Sequence, residues 1–549
     1  MQAKNEHPVI KHKTDLCVIG GGIAGLCAAV SAARHGLKVV LVQDRPVLGG
    51  NASSEMRMWI RGASIYQPEL KEGGILEELA LANTYYNPSM DYPMWDAVLY
   101  NIVISEKNIE LLLNCTCIDA SSSGGRITEI GCWQLTTYQR HVISAEYFCD
   151  CSGDSVLAPL VGALYMRGRE AKSEYNESYG LDKPDTQTMG NTCLIQARET
   201  QKPVKYVAPP FAERYDETAF NYRLHFGGKK FLNTNYWWLE FGGAGDAISD
   251  GDSVRARLLA AAYGAWDFIK NGGKYDADNW ALDFVGFLPG KRESRRYMGD
   301  YVLNESDVAE GRIFEDEAAY GGWPMDIHDP LGFDSPNEPN VFRILPKPYS
   351  IPLRCLYSKN IKNLFVAGRN ISATHIALAS TRVMATCGIM GQAVGIACAV
   401  AKKYKTDNAG AVLHIGEIKQ LLRLDDCYLL GTPVKYSQAA RSAKCDKALN
   451  KDGIERKING VNSCVSLKPA EHVDLTFAEP VGIRGIRVVF DSDIPRDEYP
   501  AEYEEEKQYP MRSHAFLDPR VLPMPSILPK AYKLLVKVGG AWREAASAD

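Results

Sequence analysis

Asp15–Asn51 reads DLCVIGGGIAGLCAAVSAARHGLKVVLVQDRPVLGGN. Leu16–Ile19 is an unbroken apolar run, the signature of a strand buried on both faces of a parallel sheet. Ile23–Arg34 is alanine-rich and helical and closes at Gly36, and Val39–Val42 is a second strand. Between them, Gly20-Gly21-Gly22-Ile23-Ala24-Gly25 fits G-x-G-x-x-G. Gly20 permits the tight turn, Gly22 lets the backbone approach a pyrophosphate, and Gly25 lets helix and strand pack closely. The helix start at Ile23 and Ala24 then turns its unpaired N–H groups and positive dipole end toward phosphates. The stretch opens a dinucleotide-binding unit.

Such units end their second strand on a carboxylate that holds the adenosine ribose. Here that place reads Gln43-Asp44-Arg45, with Gln43 18 residues beyond Gly25. A glutamine amide can accept from and donate to a ribose hydroxyl without charge, so Gln43 is expected to make the contact. Asp44, next along the strand, should point to the other face. A second glycine pair follows in RPVLGGNASSEMR, where Gly49 and Gly50 precede Asn51, Ser53 and Ser54. Flavoproteins use such a loop beside the pyrophosphate and ring system, and these polar side chains are expected to bond there. Gly153 and Asp154 end a further strand in YFCDCSGDSVLAPLVGA, where Asp154 or Ser155 could equally cap a helix. The last element, NLFVAGRN, ends on Gly368-Arg369 and leads to a helix carrying Gly388, Gly391, Gln392 and Gly395.

The bulk composition excludes several classes. The chain has 549 residues, 46% of them hydrophobic, enough for two to four cored domains, and a net charge of −5 that invites neither nucleic acid nor an anionic membrane. Fourteen cysteines contain no C-x-x-C, so no metal site is expected, only free thiols in a reducing compartment. The N-terminus lacks an apolar stretch of signal-peptide length, and Cys387–Ala401 is too short a run to span a bilayer. A cytoplasmic protein is expected.

Residues 1–165 and 346–430 read as two parts of one nucleotide domain, split by an inserted α+β lobe over 166–345, with a β-rich segment over 431–549. The expected fold class is α/β: a Rossmann-like FAD-binding domain with an inserted substrate lobe, plus a C-terminal β-sandwich.

Four segments carry a specific resemblance, in this order: VLGGNASSE (Val47–Glu55), SGD..LA..GA (Ser152–Ala163), RESRR.MGDYVL (Arg292–Leu303) and NLFVAGRNISATH.A..STRVM (Asn363–Met384). Over roughly residues 14–425 the chain resembles the FAD-dependent oxidoreductase family of bacterial flavoproteins. The resemblance implies a glutathione-reductase-like FAD domain and FAD as cofactor. Arg369, where flavoproteins at large carry an acid, fits this family and is implied to contact phosphate or flavin. Residues 431–549 are similar to galactose-binding-like (discoidin-type) sandwiches, here expected to be incomplete.

A flavin supplies redox chemistry while the protein binds and orients. Oxidation of an alcohol or C–H bond needs a base near the flavin. His375, the histidine inside a flavin-contacting motif, is the expected base or ring partner, beside Arg292 and Arg382 from the set Arg57, Arg61, Arg292, Arg295, Arg296 and Arg382. Glu240–Asp252 is glycine-rich but lacks the third glycine of a second dinucleotide loop. One bound FAD is therefore expected, with a small polar substrate, a sugar or glycan among the choices. Its electron acceptor would be oxygen, a quinone or another protein. A catalytically silent glycan-binding or scaffold protein is the alternative.

Overall fold

The computed structural model describes residues 7–548 except 66–67, 221–235, 449–450, 452, 457, 459–463, 493–510, 512–513, 519–520 and 522. Strand β1 (Val9–Ile19) is exposed at its start and buried over Leu16–Ile19, where the apolar run lies. It leads through helix α1 (Ile23–Arg34) to β2 (Val39–Val42), every residue of which is buried. Two further helices, α2 (Ile75–Tyr86) and α3 (Tyr92–Ile104), precede β3 (Ile109–Leu112). The order β3-β2-β1-β6 is parallel, with β6 spanning Gln139–Asp150. An antiparallel meander of β4 (Cys115–Ser123) and β5 (Arg126–Gln134) joins the outer edge of β6.

That edge is shared. β5 pairs with the first half of β6, while Leu364–Val366 pairs in parallel with Phe148–Asp150 at its end. The chain therefore leaves the sheet after Asp150 and returns 214 residues later to the neighbouring position, which is what makes the sheet discontinuous in sequence. Between these points stand a three-stranded antiparallel sheet (Trp280–Val285, Asn191–Glu199, Tyr236–Phe241) and the helix Gly251–Asn271. Phe220, Phe241, Trp266, Phe268 and Phe333 fill the core between them.

The helix Met384–Tyr404 runs against α1. Its glycines make this possible: a Cβ at Gly391 would lie 2.0 Å from the Ala24 carbonyl oxygen, and one at Gly395 would lie 2.6 Å from that of Ala28. The helix is long and apolar enough to cross a membrane, but 89% of its apolar window is buried inside the protein. It is a core helix.

The sandwich expected over 431–549 is not assembled among the described residues. They hold the short pair Lys444–Cys445 with Leu475–Thr476 and the hairpin Tyr532–Val538 with Ala541–Ala548. Val481, Ile483, Ile486, Val488, Val489 and Phe490 are exposed, and among the described residues the hairpin meets this stretch through Phe490 and Tyr532. The charge run Arg496–Lys507 lies outside the described residues. None of the fourteen cysteines is bridged in a disulfide. Among the described residues no cluster of His, Cys, Asp or Glu could hold a metal ion.

Candidate active site

The C-terminal ends of β1, β2 and β6 open onto a cleft of about 1220 Å³, and the lobe faces it from the other side. This is where open α/β sheets bind ligands. The floor is glycine. Gly20 adopts φ +97°, and a Cβ there would stand 2.6 Å from the Cys151 carbonyl oxygen. A Cβ at Gly25 would stand 1.8 Å from the Gly20 carbonyl oxygen, so the third glycine is required by packing and does not itself line the cleft. Gly22 differs, because its missing Cβ meets nothing nearer than Gly50 Cα at 3.9 Å. Gly22 bridges to Gly49, and the Gly49 N–H donates to the Gly21 carbonyl at 2.8 Å. The two glycine motifs thus form one continuous backbone floor.

Gln43 lines the cleft, and its amide is bonded within the protein. Its Oε1 accepts from the Gly21 N–H at 2.7 Å and its Nε2 donates to the Val47 carbonyl at 3.0 Å, with 3% of the residue exposed. The amide braces the two loops against each other. Asp44 and Arg45 line the cleft beside it.

Further along the cleft, Asp154 accepts from Lys291 Nζ at 2.6 Å, from Arg369 Nη2 at 2.7 Å and from Ser294 Oγ at 2.8 Å. Burial pushes its carboxyl upward, but the two cations outweigh that and bring it down to about 2. Gly153 adopts φ +74° beside it, a conformation that favours glycine, and a Cβ there would displace the Arg369 guanidinium. Asn51 donates to the Lys291 carbonyl at 3.2 Å. Neither Asp154 nor Ser155 caps the short helix Leu157–Val161. Its Leu157 N–H is taken by Asp150 at 3.0 Å, and the same Asp150 oxygen accepts from Tyr297 Oη at 2.6 Å.

The lobe end of the cleft holds a buried chain of charges. Arg292 approaches Glu240 at 3.5 Å, Glu240 pairs with His328 Nδ1 at 2.8 Å, His328 Nε2 pairs with Asp326 at 2.9 Å, and Arg382 reaches Asp326 at 3.1 Å. Arg292, Asp326, His328 and Arg382 all line the cleft. Burial alone would depress the His328 imidazolium, yet Asp326 and Glu240 reverse this and its pKa is raised. Asp326 is held well below the usual carboxylate range, because His328 and Arg382 outweigh the cost of its burial.

Several expected residues lie elsewhere. His375 does not line the cleft; its Nδ1 bonds Glu293 at 2.8 Å, and Glu293 is wholly buried beside Arg296. Among the described residues, the histidine that lines the cleft is His328, paired with Asp326. Gln392 caps α2 from behind, accepting from the Ile75 N–H at 3.0 Å, and Gly388 packs on Leu76. Ser53 bonds back to the Gly50 carbonyl, and the Ser54 N–H donates to Asp96. Of the remaining motif arginines, Arg296 is buried against Glu170, Arg295 stacks on Tyr165, and Arg57 lies over Phe284; Arg61 lines the cleft.

The residues present suit a flavin dinucleotide: a bare glycine floor for the pyrophosphate, the Asp154–Lys291–Arg369 group beside it, and Gly368 at φ +110° opposite Ala24. Residues 15–422 match the family model described as FAD dependent oxidoreductase. Among solved structures, a geranylgeranyl bacteriochlorophyll reductase-like protein from Thermoplasma acidophilum shares 12% identity at a TM-score of 0.32, over 75% of this chain and 84% of its own. The E. coli quinol fumarate reductase FrdA shares 13% at 0.30, over 76% and 75%. CabE, an aromatic hydroxylase from angucycline biosynthesis, shares 11% at 0.35, over 75% and 66%. No curated protein gives a significant match. With its model matched over most of the chain, and on the glycine floor just described, the protein belongs to the FAD-dependent oxidoreductase family, and FAD is its cofactor.

Proposed function

We propose that the protein transfers hydride between bound FAD and a small polar substrate held at the lobe end of the cleft. The observation that carries this is the chain Arg292–Glu240–His328–Asp326–Arg382, which opens onto the same cleft as the nucleotide floor. Bound FAD supplies the two-electron chemistry. The protein supplies position, dryness and a proton. Gly20, Gly22, Gly49, Gly50 and Gly368 let the backbone approach the dinucleotide, and Asn51, Gly153, Asp154 and Arg369 stand along it. Phe284, Phe287 and Leu288 from the lobe give the cleft an apolar wall. His328 holds a proton between two carboxylates, so it can give one to the substrate as hydride leaves the flavin, and the neutral imidazole so formed can take it back when hydride moves the other way. Arg292 and Arg382 orient the polar groups of the substrate.

Anaerobic mixing of the yellow holoprotein with a panel of sugars, sugar acids and hydroxy acids tests this. A member that bleaches the flavin in the native protein but not in His328→Gln, with FAD still bound, is the expected result. Equal bleaching in both removes His328 from the proton path. A protein that binds glycans but never takes up FAD would favour the silent scaffold instead.

A further inference from the structure

We propose, building on the oxidoreductase reading above, that the lobe end of the cleft is a carboxylate site: Arg292 and Arg382 face the anionic group of the substrate, and Asn191 holds a neighbouring hydroxyl or carbonyl. Two observations carry it. The first is charge. With His328 held between Glu240 and Asp326, three cationic groups, Arg292, Arg382 and the imidazolium, stand against two carboxylates, an excess of one positive charge within this buried set. Buried charge is costly, and an incoming monoanion brings the set to balance. An uncharged sugar would leave the excess in place, and a phosphate dianion would reverse it.

The second is a set of polar atoms with nothing to bond. Asn191 is 0% exposed and lines the cleft, yet neither its Oδ1 nor its Nδ2 has a partner. Trp323 Nε1 and Arg382 Nε, also on cleft-lining residues, are buried and unpartnered as well. Each such group is costly when left unsatisfied, so a cluster at one end of a cleft marks a place where a ligand completes the bonding. A carboxylate accepts from guanidinium and indole N–H groups, and the donor and acceptor of the Asn191 amide match a hydroxyl that also does both.

Titration of the flavin absorption band of the holoprotein tests the inference with glycolate, acetate and D-gluconate against glycolamide, D-glucose and glycerol 3-phosphate. The carboxylates should shift the band and bind at least roughly tenfold more tightly than glycolamide or the phosphate. Arg382→Lys should reduce that preference while the bound FAD spectrum shows the fold intact. Asn191→Ala should weaken glycolate but leave acetate unchanged. Equal affinity for glycolate and glycolamide overturns the proposal, as does preference for the phosphate or a band unmoved by millimolar carboxylate. Bleaching by a neutral sugar with no carboxylate preference would overturn the carboxylate site while the redox reading stands. Protein that takes up no FAD would overturn both.

Discussion

Gln43 shows how one side chain can serve a motif from within: it lines the cleft, and its amide is bonded inside the protein. Its position invites a ribose contact, but a buried amide must be bonded, and Gly21 and Val47 are the nearest backbone groups. The glycines separate in the same way. Gly25→Ala places a methyl group on the Gly20 carbonyl, so the holoprotein should lose a large share of its thermal stability together with FAD. Gly22→Ala meets open space, and its unfolding in urea without FAD should stay within about 0.5 kcal/mol of wild type while FAD affinity falls. Equal destabilisation by both would contradict this division between packing and binding. A third residue sets a pH dependence. Glu72 accepts from the Ala63 N–H at 2.9 Å, but its other oxygen is buried without a partner, and burial pushes its carboxyl from 4.5 up to about 7. A raised carboxyl pKa means that the folded state binds the proton more tightly. Stability should therefore fall as pH rises from about 4.5 to 7, by about 3 kcal/mol in all. Glu72→Gln should flatten that slope and be the more stable protein above pH 7, as read by urea unfolding across the range.

At the scale of elements, the packing of α1 against Met384–Tyr404 follows from small residues, and the two kinds of glycine on the second helix separate again. Gly391 faces backbone that cannot move, whereas Gly388 faces the tip of Leu76, which can. Gly391→Ala should cost at least about 2 kcal/mol in urea unfolding and Gly388→Ala less than about 1 kcal/mol, a ranking that a single denaturation series decides. The elements also show what was legible in the sequence. The apolar strands, both glycine loops and the return to the sheet at Leu364–Val366 follow from local pattern, because strand burial and tight turns leave their mark within a few residues. The charge chain does not. Glu240, Arg292, Asp326 and Arg382 come from four separate segments, and only tertiary packing brings them together. One local signal was available: Asp326 and His328 stand two apart in a strand, on one face, where an acid can bond an imidazole. His375, by contrast, sits in a stronger motif but is turned into the Glu293–Arg296 core, where motif membership reports packing.

At the scale of the whole molecule, the cleft exists because two bodies meet: the parallel sheet supplies the nucleotide floor, and the inserted lobe supplies Asn191, Phe284 and Arg292, with Glu240 behind them on the strand Tyr236–Phe241. Glu240 therefore links lobe and site through His328. Its carboxylate is one of the two that raise the His328 pKa, and Arg292 in turn keeps Glu240 ionised against the cost of burial. Glu240→Gln removes one raising partner, so the His328 pKa should fall and the limb of the pH–rate profile that it controls should move to lower pH. The sign for stability follows from the same linkage. A histidine whose folded pKa exceeds 6.5 contributes stability that is fully present below that value and is lost as pH rises through the folded pKa. Glu240→Gln should thus lose the His328 contribution at low pH, and it should stay less stable than the native protein at high pH as well, because Arg292 is left buried without its carboxylate. A pH–rate limb that stays in place while thermal stability drops would assign Glu240 to holding the lobe alone. A limb that moves together with the low-pH stability loss assigns it to the proton held at His328.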